Sequence, residues 1–434
     1  MTRYLFLFVF GTSAIWAATI PKHVTFHKDV VPILQQNCQG CHREGEAAPM
    51  SLLSYKSTRP FAKAIKEAVV SRRMPPWPAD PHFGKFSNDR SMKQAEIDTL
   101  VAWADSGAKE GSANDAPKPM AFLDGWNIGK PDVILEMAKP ITVPAKGTIE
   151  YTYYVIPVGN KEDVWVEQAE VRPGNRAVLH HVIAFVRQPG NRWLKDAKPG
   201  EAYVPPVVVD SRGRERRENV FGGQWLTAYS PGMPPRLLEA GKARLVPAGS
   251  DLILQMHYTS NGKEQTDVTK VGLVFAKQAP KERVLTLAAK NSQFEIPAHA
   301  GNYEVKGEVT LYEEFKLSCL LPHMHLRGKD FEFKATYPTG ESEILLRVPR
   351  YDFAWQLIYE PAGEKMMPKG TKIQVTAHFD NSANNKANPD PAKAIRFGEQ
   401  SWEEMMIGFF DVAVKPGVTE RDLMQPPKKK ATGD

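Results

Sequence analysis

Three stretches of this 434-residue chain carry side chains of the types and spacings that bind metals. Cys38-Gln39-Gly40-Cys41-His42 is a C-x-x-C-H run. In such a run two thiols form thioethers to haem c and the next imidazole ligates the iron. His180-His181, with His257 on a later strand-like segment, forms a second group, and His323-Met324-His325 a third. Residues i and i+2 of a strand share a face, so His323 and His325 can bite one metal. Adjacent His180 and His181 would face opposite ways, and can share a metal only at a strand end or a bulge. Imidazole suits copper and zinc, and an added thioether favours Cu(I). Met405, in Trp402-Glu403-Glu404-Met405-Met406-Ile407, offers one beside an apolar run. For the haem, Met74 in Arg73-Met74-Pro75-Pro76-Trp77-Pro78 is the preferred second axial ligand, because a Pro-rich loop is stiff and a Met/His pair suits electron transfer. Met50, Met92 and His82 are alternatives.

The elements needed to position these groups fall into two kinds. A helix-like segment from His27 to Gln36 leads into the C-x-x-C-H run, and Lys93 to Ser106 repeats apolar residues at helical spacing through Ile97, Leu100, Val101 and Trp103. Two helices bracketing the attachment site predict a small all-α cytochrome c domain over 24–112. From Gly111 to Lys118 the chain is small and polar, and a linker is placed at 113–126. Beyond it come short segments rich in β-branched and aromatic residues: 164–171, 181–186, 252–258, 303–311, 331–337, 344–348 and 372–378. Strands without intervening helices predict two antiparallel β-sandwiches, jelly-roll-like, over 127–280 and 281–422. The expected fold class is therefore multidomain, α followed by all-β, with a basic tail at 423–434.

Composition sets bounds. Lys plus Arg number 56 and Asp plus Glu 50, a mild excess spread along the chain, so no nucleic-acid footprint is expected. Arg3, the apolar run Tyr4 to Phe10 and the small Ala14, Ala17 and Ala18 have the layout of a cleavable export signal over 1–18. No later segment reaches transmembrane length. The expectation is a mature protein without a membrane span, periplasmic or secreted, served by a periplasmic electron donor. With Cys38 and Cys41 assigned to haem, Cys319 is left without a partner and the chain is expected to be disulfide-free.

The order His-His, Gln-x-His-Tyr, His-x-His-Leu-x-Gly, Glu-Glu-Met over about 127–415 resembles the type II copper monooxygenases, the group of dopamine β-monooxygenase and peptidylglycine α-hydroxylating monooxygenase. The resemblance implies two mononuclear copper sites. One, for electron transfer, would be held by His180, His181 and His257 in the first sandwich. The other, for oxygen activation, would be held by His323, His325 and Met405 in the second, with Met406 as the fallback in register. It implies O2-dependent hydroxylation of a C–H bond of a small-molecule substrate. Two features depart from that group: the lack of disulfides and the fused haem domain, which would replace a diffusing reductant. A haem/copper electron-transfer or redox-sensing protein without hydroxylase activity is the alternative, and a sandwich-based binding module a third. His378, in Ala377-His378-Phe379-Asp380, is read as a structural residue in preference to one in the substrate cleft.

Overall fold

The computed structural model describes residues 23–426 except 47, 124, 148, 210–214, 218–221 and 232. The expected export signal at 1–18 and the Lys428–Lys430 run lie outside the described residues. The chain divides into two compact units.

The first unit, which holds residues up to Arg43, Met50–Pro75 and Ser91–Met120, is helical. A π-helical turn at Phe26–Val30 runs into α1 (Val31–Asn37), and α2 (Ala62–Val70) and α3 (Gln94–Asp105) follow. Pro32 stands in the first turn of α1, where its missing N–H costs nothing. Glu96 accepts the Lys93 N–H at 2.9 Å and so caps the start of α3. Ile97, Leu100 and Trp103 share one face of α3 and pack with Phe26, Leu34, Ile65 and Val69.

The second unit contains the remaining chain, including residues 44–49 and 76–90, which the sequence places inside the 24–112 block. The physical reason lies in Trp77 and Phe86, whose rings pack on Tyr359 at centroid distances of 4.8 and 5.5 Å. Its strands are β1 (Val133–Glu136), β2 (Thr152–Pro157), β3 (Val164–Arg172), β4 (Leu179–Arg187), β5 (Gln224–Tyr229), β6 (Lys242–Val246), β7 (Asp251–Tyr258) and β8 (Lys270–Phe275). Then come β9 (Glu282–Asn291), β10 (Tyr303–Thr310), β11 (Phe315–His323), β12 (Gly328–Thr336), β13 (Ser342–Val348), β14 (Lys365–Met367), β15 (Lys372–Phe379) and β16 (Met406–Val414).

An eight-stranded sheet runs β1-β8-β3-β6-β9-β16-β11-β14. One four-stranded sheet, β2-β7-β4-β5, belongs to the first half, and another, β10-β15-β12-β13, to the second. Separate apolar cores fill the two halves. The expected division near residue 280 nevertheless falls inside a connected sheet. There β6 and β9 pair in parallel, Lys242 with Glu282 and Ala243 with Arg283, and join the halves through backbone hydrogen bonds. Strand β15 alternates between half-buried and buried, with Ile373, Val375, Ala377 and Phe379 inward, as a one-sided strand should. In contrast β16, flanked by β9 and β11, is buried along its whole length. No helix among the described residues is long and apolar enough to cross a membrane.

Candidate metal centres

Strands β4 and β7 bring the first histidine set together. His181 lies directly opposite His257, but Tyr258 pairs with Leu179, so His180 is the extra residue of a β-bulge. The bulge turns adjacent imidazoles to one side. Nδ1 of His180 and Nδ1 of His181 are 3.1 Å apart, and ligand atoms of His180, His181 and His257 all lie within 4.8 Å of one another. Two nitrogens bound at about 2.0–2.1 Å to one ion in roughly tetrahedral geometry stand roughly 3.1–3.4 Å apart. The His180–His181 pair therefore fits a metal reached through Nδ1, with a ligand atom of His257 within 4.8 Å. That choice leaves Nε2 of His181 to donate to the Tyr151 hydroxyl at 3.3 Å, and Tyr151 also stacks on His257 at 4.7 Å. Nδ1 of His257 is buried and has no hydrogen-bond partner.

The second set sits where β11 ends. His323 is its last residue, paired with Ile407 of β16, and His325 follows two positions on. The two rings are 5.2 Å apart and nearly perpendicular. Met324 between them points the other way, into the apolar core, and its N–H and C=O are both bonded to the Tyr351 hydroxyl. Nδ1 of His323 donates to Gln356 Oε1 at 2.8 Å, and Nδ1 of His325 to the Glu403 carbonyl at 3.3 Å. Both rings thus present Nε2, and that of His325 is buried without a partner. Such outer hydrogen bonds fix tautomer and ring plane for a ligand. Met405 packs with Ile407, Phe409, Leu321 and Trp225, whereas Met406 is buried in the core of the second half. Of the two methionines, Met405 and not Met406 lines a cavity with His323 and His325.

His181, His323, His325 and Met405 line one cavity of about 90 Å³. At 10–15 Å³ per water, that is room for a small molecule. Its walls are largely apolar, with Trp225, Leu226, Leu321 and Phe409 prominent. Burial holds the histidines neutral. It pushes His257 down to about 3 and His323 to about 4. His181 and His325 also lie well below the usual histidine range, for the same reason and then because of the neighbouring imidazoles. Neutral imidazole is the form that binds metal.

Several further residues support these groups. Glu404, fully buried, accepts the N–H of His325 at 2.9 Å and of Arg327 at 2.6 Å, and so ties the His-x-His turn to the Met405 segment. Burial pushes its carboxyl up to about 8 against the pull of those backbone donors. Asp411 is the one charge in the apolar run of β16. It pairs with Arg236 and Arg244 and accepts from Thr286, at the cavity wall that Cys319 shares. A lone acid in such a run was a legible signal of a buried ion pair. Cys319 is a buried thiol, pushed up to about 12 by burial. His378 bonds Asp330 across strands at 2.7 Å and does not line the cavity.

The C-x-x-C-H run stands at the end of α1 in the first unit. The N–H groups of Cys41 and His42 both bond the Cys38 carbonyl, at 3.1 and 3.0 Å, so one tight turn carries all three side chains. Nδ1 of His42 is buried without a partner, and burial lowers the affinity of its ring for a proton. The turn fits covalent haem. Met74, half-buried, follows α2 and bonds Ala68 through its N–H at 3.2 Å. Of the alternatives, Met92 is a core residue of the same unit, Met50 packs against that core, and His82 belongs to the second unit, exposed and paired with Asp80.

No family model and no curated protein matches the chain. Among solved structures it is similar to PBCV-1 VP54 fitted into a reconstruction of the virophage Sputnik, at 8% identity over 69% of this chain and 98% of that one, with a TM-score of 0.22. It is also similar to PNGF-II, at 11% identity over 67% of this chain and 63% of that one, with a TM-score of 0.24. A third is the infectious bursal disease virus Gx strain, at 11% identity over 70% and 76%, with a TM-score of 0.18. Similarity at that level carries no argument about function.

Proposed function

We propose that this chain is an exported copper-dependent monooxygenase that hydroxylates a C–H bond of a small substrate with O2 and takes its electrons through its own c-type haem. The observation that carries the reading is the convergence of His181, His323, His325 and Met405 on one largely apolar cavity. Copper bound by the two sets would supply one-electron redox chemistry and a place to reduce O2, and haem on Cys38, Cys41 and His42 would supply single electrons.

The residues around these groups have definable tasks. Tyr151 holds His181 by accepting its Nε2–H, and Gln356 holds His323 by accepting its Nδ1–H. Each thereby fixes which nitrogen faces the metal. The Met405 thioether favours the reduced state of copper. Trp225, Leu321 and Phe409 exclude water and offer an apolar wall suited to a substrate that reacts at carbon.

The test is copper per haem by elemental analysis on the mature protein, followed by oxygen uptake driven by reduced haem. The expected ratio is about two, one ion for each three-ligand set. A ratio near zero would sink the enzyme reading and leave an exported haem protein.

A further inference from the structure

Residues 76–90 come from the haem-bearing part of the sequence but fold as part of the second unit. They form an irregular antiparallel ladder with residues 358–362. The Ser87 N–H bonds the Glu360 carbonyl at 2.8 Å and the Ala362 N–H bonds the Lys85 carbonyl at 2.7 Å. Asn88 extends this ladder with its side chain. Its Nδ2 donates to the Ile358 carbonyl at 2.8 Å, and its Oδ1 accepts the Glu360 N–H at 3.0 Å. The loop is closely fitted. Gly84 has φ +73°, and a Cβ there would meet the Leu345 carbonyl at 2.5 Å.

The segment clamped in this way reaches the second histidine set. Ile358 and Gln356 line the cavity, and Gln356 fixes the tautomer of His323 at 2.8 Å. Tyr359, gripped by Trp77 and Phe86, exchanges both backbone hydrogen bonds with Leu320 of β11, at 2.9 Å each, three residues before His323. Between β13 and β14 this stretch forms no strand, and it is held by isolated bridges at Tyr359 and Pro361, by burial of Leu357 and Tyr359 in the core and by the Arg236–Glu360 ion pair. The contacts from residues 76–90 add to that hold and act on its aim.

We propose that Asn88 is a positioning residue for the second histidine set, acting through Ile358–Glu360 and Gln356 on His323. Residues 76–90, which interrupt the helical unit in sequence, are then part of the scaffold of that site. The inference rests on the copper reading above.

The experiment uses the full chain and Asn88→Ala, with two measurements. In metal-free protein labelled with nitrogen-15 histidine, nuclear magnetic resonance follows the His323 Nδ1 proton. Competitive Cu(I) titration then reads each set alone, in His257→Ala and His325→Ala backgrounds. The expected result is faster exchange of the His323 proton and about tenfold weaker copper binding at the second set, with the first set unchanged. Equal losses at both sets, or no change at either, would overturn the proposal. Should the alanine variant not fold, Asn88→Asp, which keeps the acceptor and loses the donor, is expected to shift both readouts less and in the same direction. A chain that takes up no copper at all would fail the copper reading, while the proton measurement would still decide the role of Asn88.

Discussion

Nδ1 of His180 lies 3.1 Å from Nδ1 of His181, although the two residues are neighbours on one strand. The bulge at His180 makes this possible, and His257 closes the set from the paired strand. Two imidazoles held this close and neutral in a buried place are poised for a shared cation, and the consequences can be measured.

Replacing His181 or His257 by alanine is expected to remove one of two copper ions and to leave the other on His323, His325 and Met405. Elemental analysis of each variant checks this. Tyr151→Phe should be milder, with copper affinity at the first set about 10–100-fold weaker, since it loses only the hydrogen bond that orients His181. Full retention of both ions in His257→Ala would argue against the set.

Glu404→Gln should disturb the second set without emptying the first. Above about pH 8, where its carboxyl is ionised, Glu404 accepts from both His325 and Arg327, whereas an amide must turn a donor toward one of them. A loss of about 10–100-fold in copper affinity at the second set is expected by titration.

Acid should destabilise the metal-free chain. His257 at about 3 and His323 at about 4 are held below the ordinary histidine value of 6.5 by burial. Between those values and 6.5 the unfolded chain binds more protons than the folded one, so stability falls as pH drops through that window. Above about pH 7 both states are neutral at these rings and their contribution is level. Denaturant titration at pH 7.5, 6, 5 and 4, all about room temperature, would show the decline, and copper should be released over the same range.

Asp411→Ala should cost about 3–5 kcal/mol of folding stability, because it leaves the buried Arg244 without its carboxylate and the half-buried Arg236 with Glu360 alone. Urea denaturation of the full chain measures the loss. A change under about 1 kcal/mol would mean that the arginines find other partners.

Met74→Ala is expected to lower the haem potential and to abolish the methionine-to-iron absorption band, while covalent haem stays on Cys38 and Cys41. Redox titration with visible spectroscopy checks both. An unchanged band would assign the axial position to another residue.

Much of this architecture was legible before any coordinates. Strand segments such as 164–171 and 252–258 fall within β3 and β7, because β-branched runs between turn residues have few other uses. The helix over 93–106 coincides with α3, whose apolar residues recur at three- and four-residue spacing. The His-x-His pair announced a shared face, and the His-His pair announced that a strand end or a bulge was required. Tyr151, Gln356 and Glu404 were invisible, since each matters through a partner 30, 33 or 79 residues away in sequence.

The sequence by itself determined which residues are candidate ligands for haem and copper, and which segments are helix or strand, because ligand chemistry and hydrophobic period are local properties. Only the tertiary structure decided that His181 shares one cavity with His323 and His325. It also decided that Met405 and not Met406 lines that cavity, that the sheet runs unbroken past residue 280, and that residues 76–90 leave the helical unit. These outcomes depend on register, on a one-residue bulge and on which apolar surfaces find each other. Each is a competition between distant segments, and no window of sequence contains both competitors.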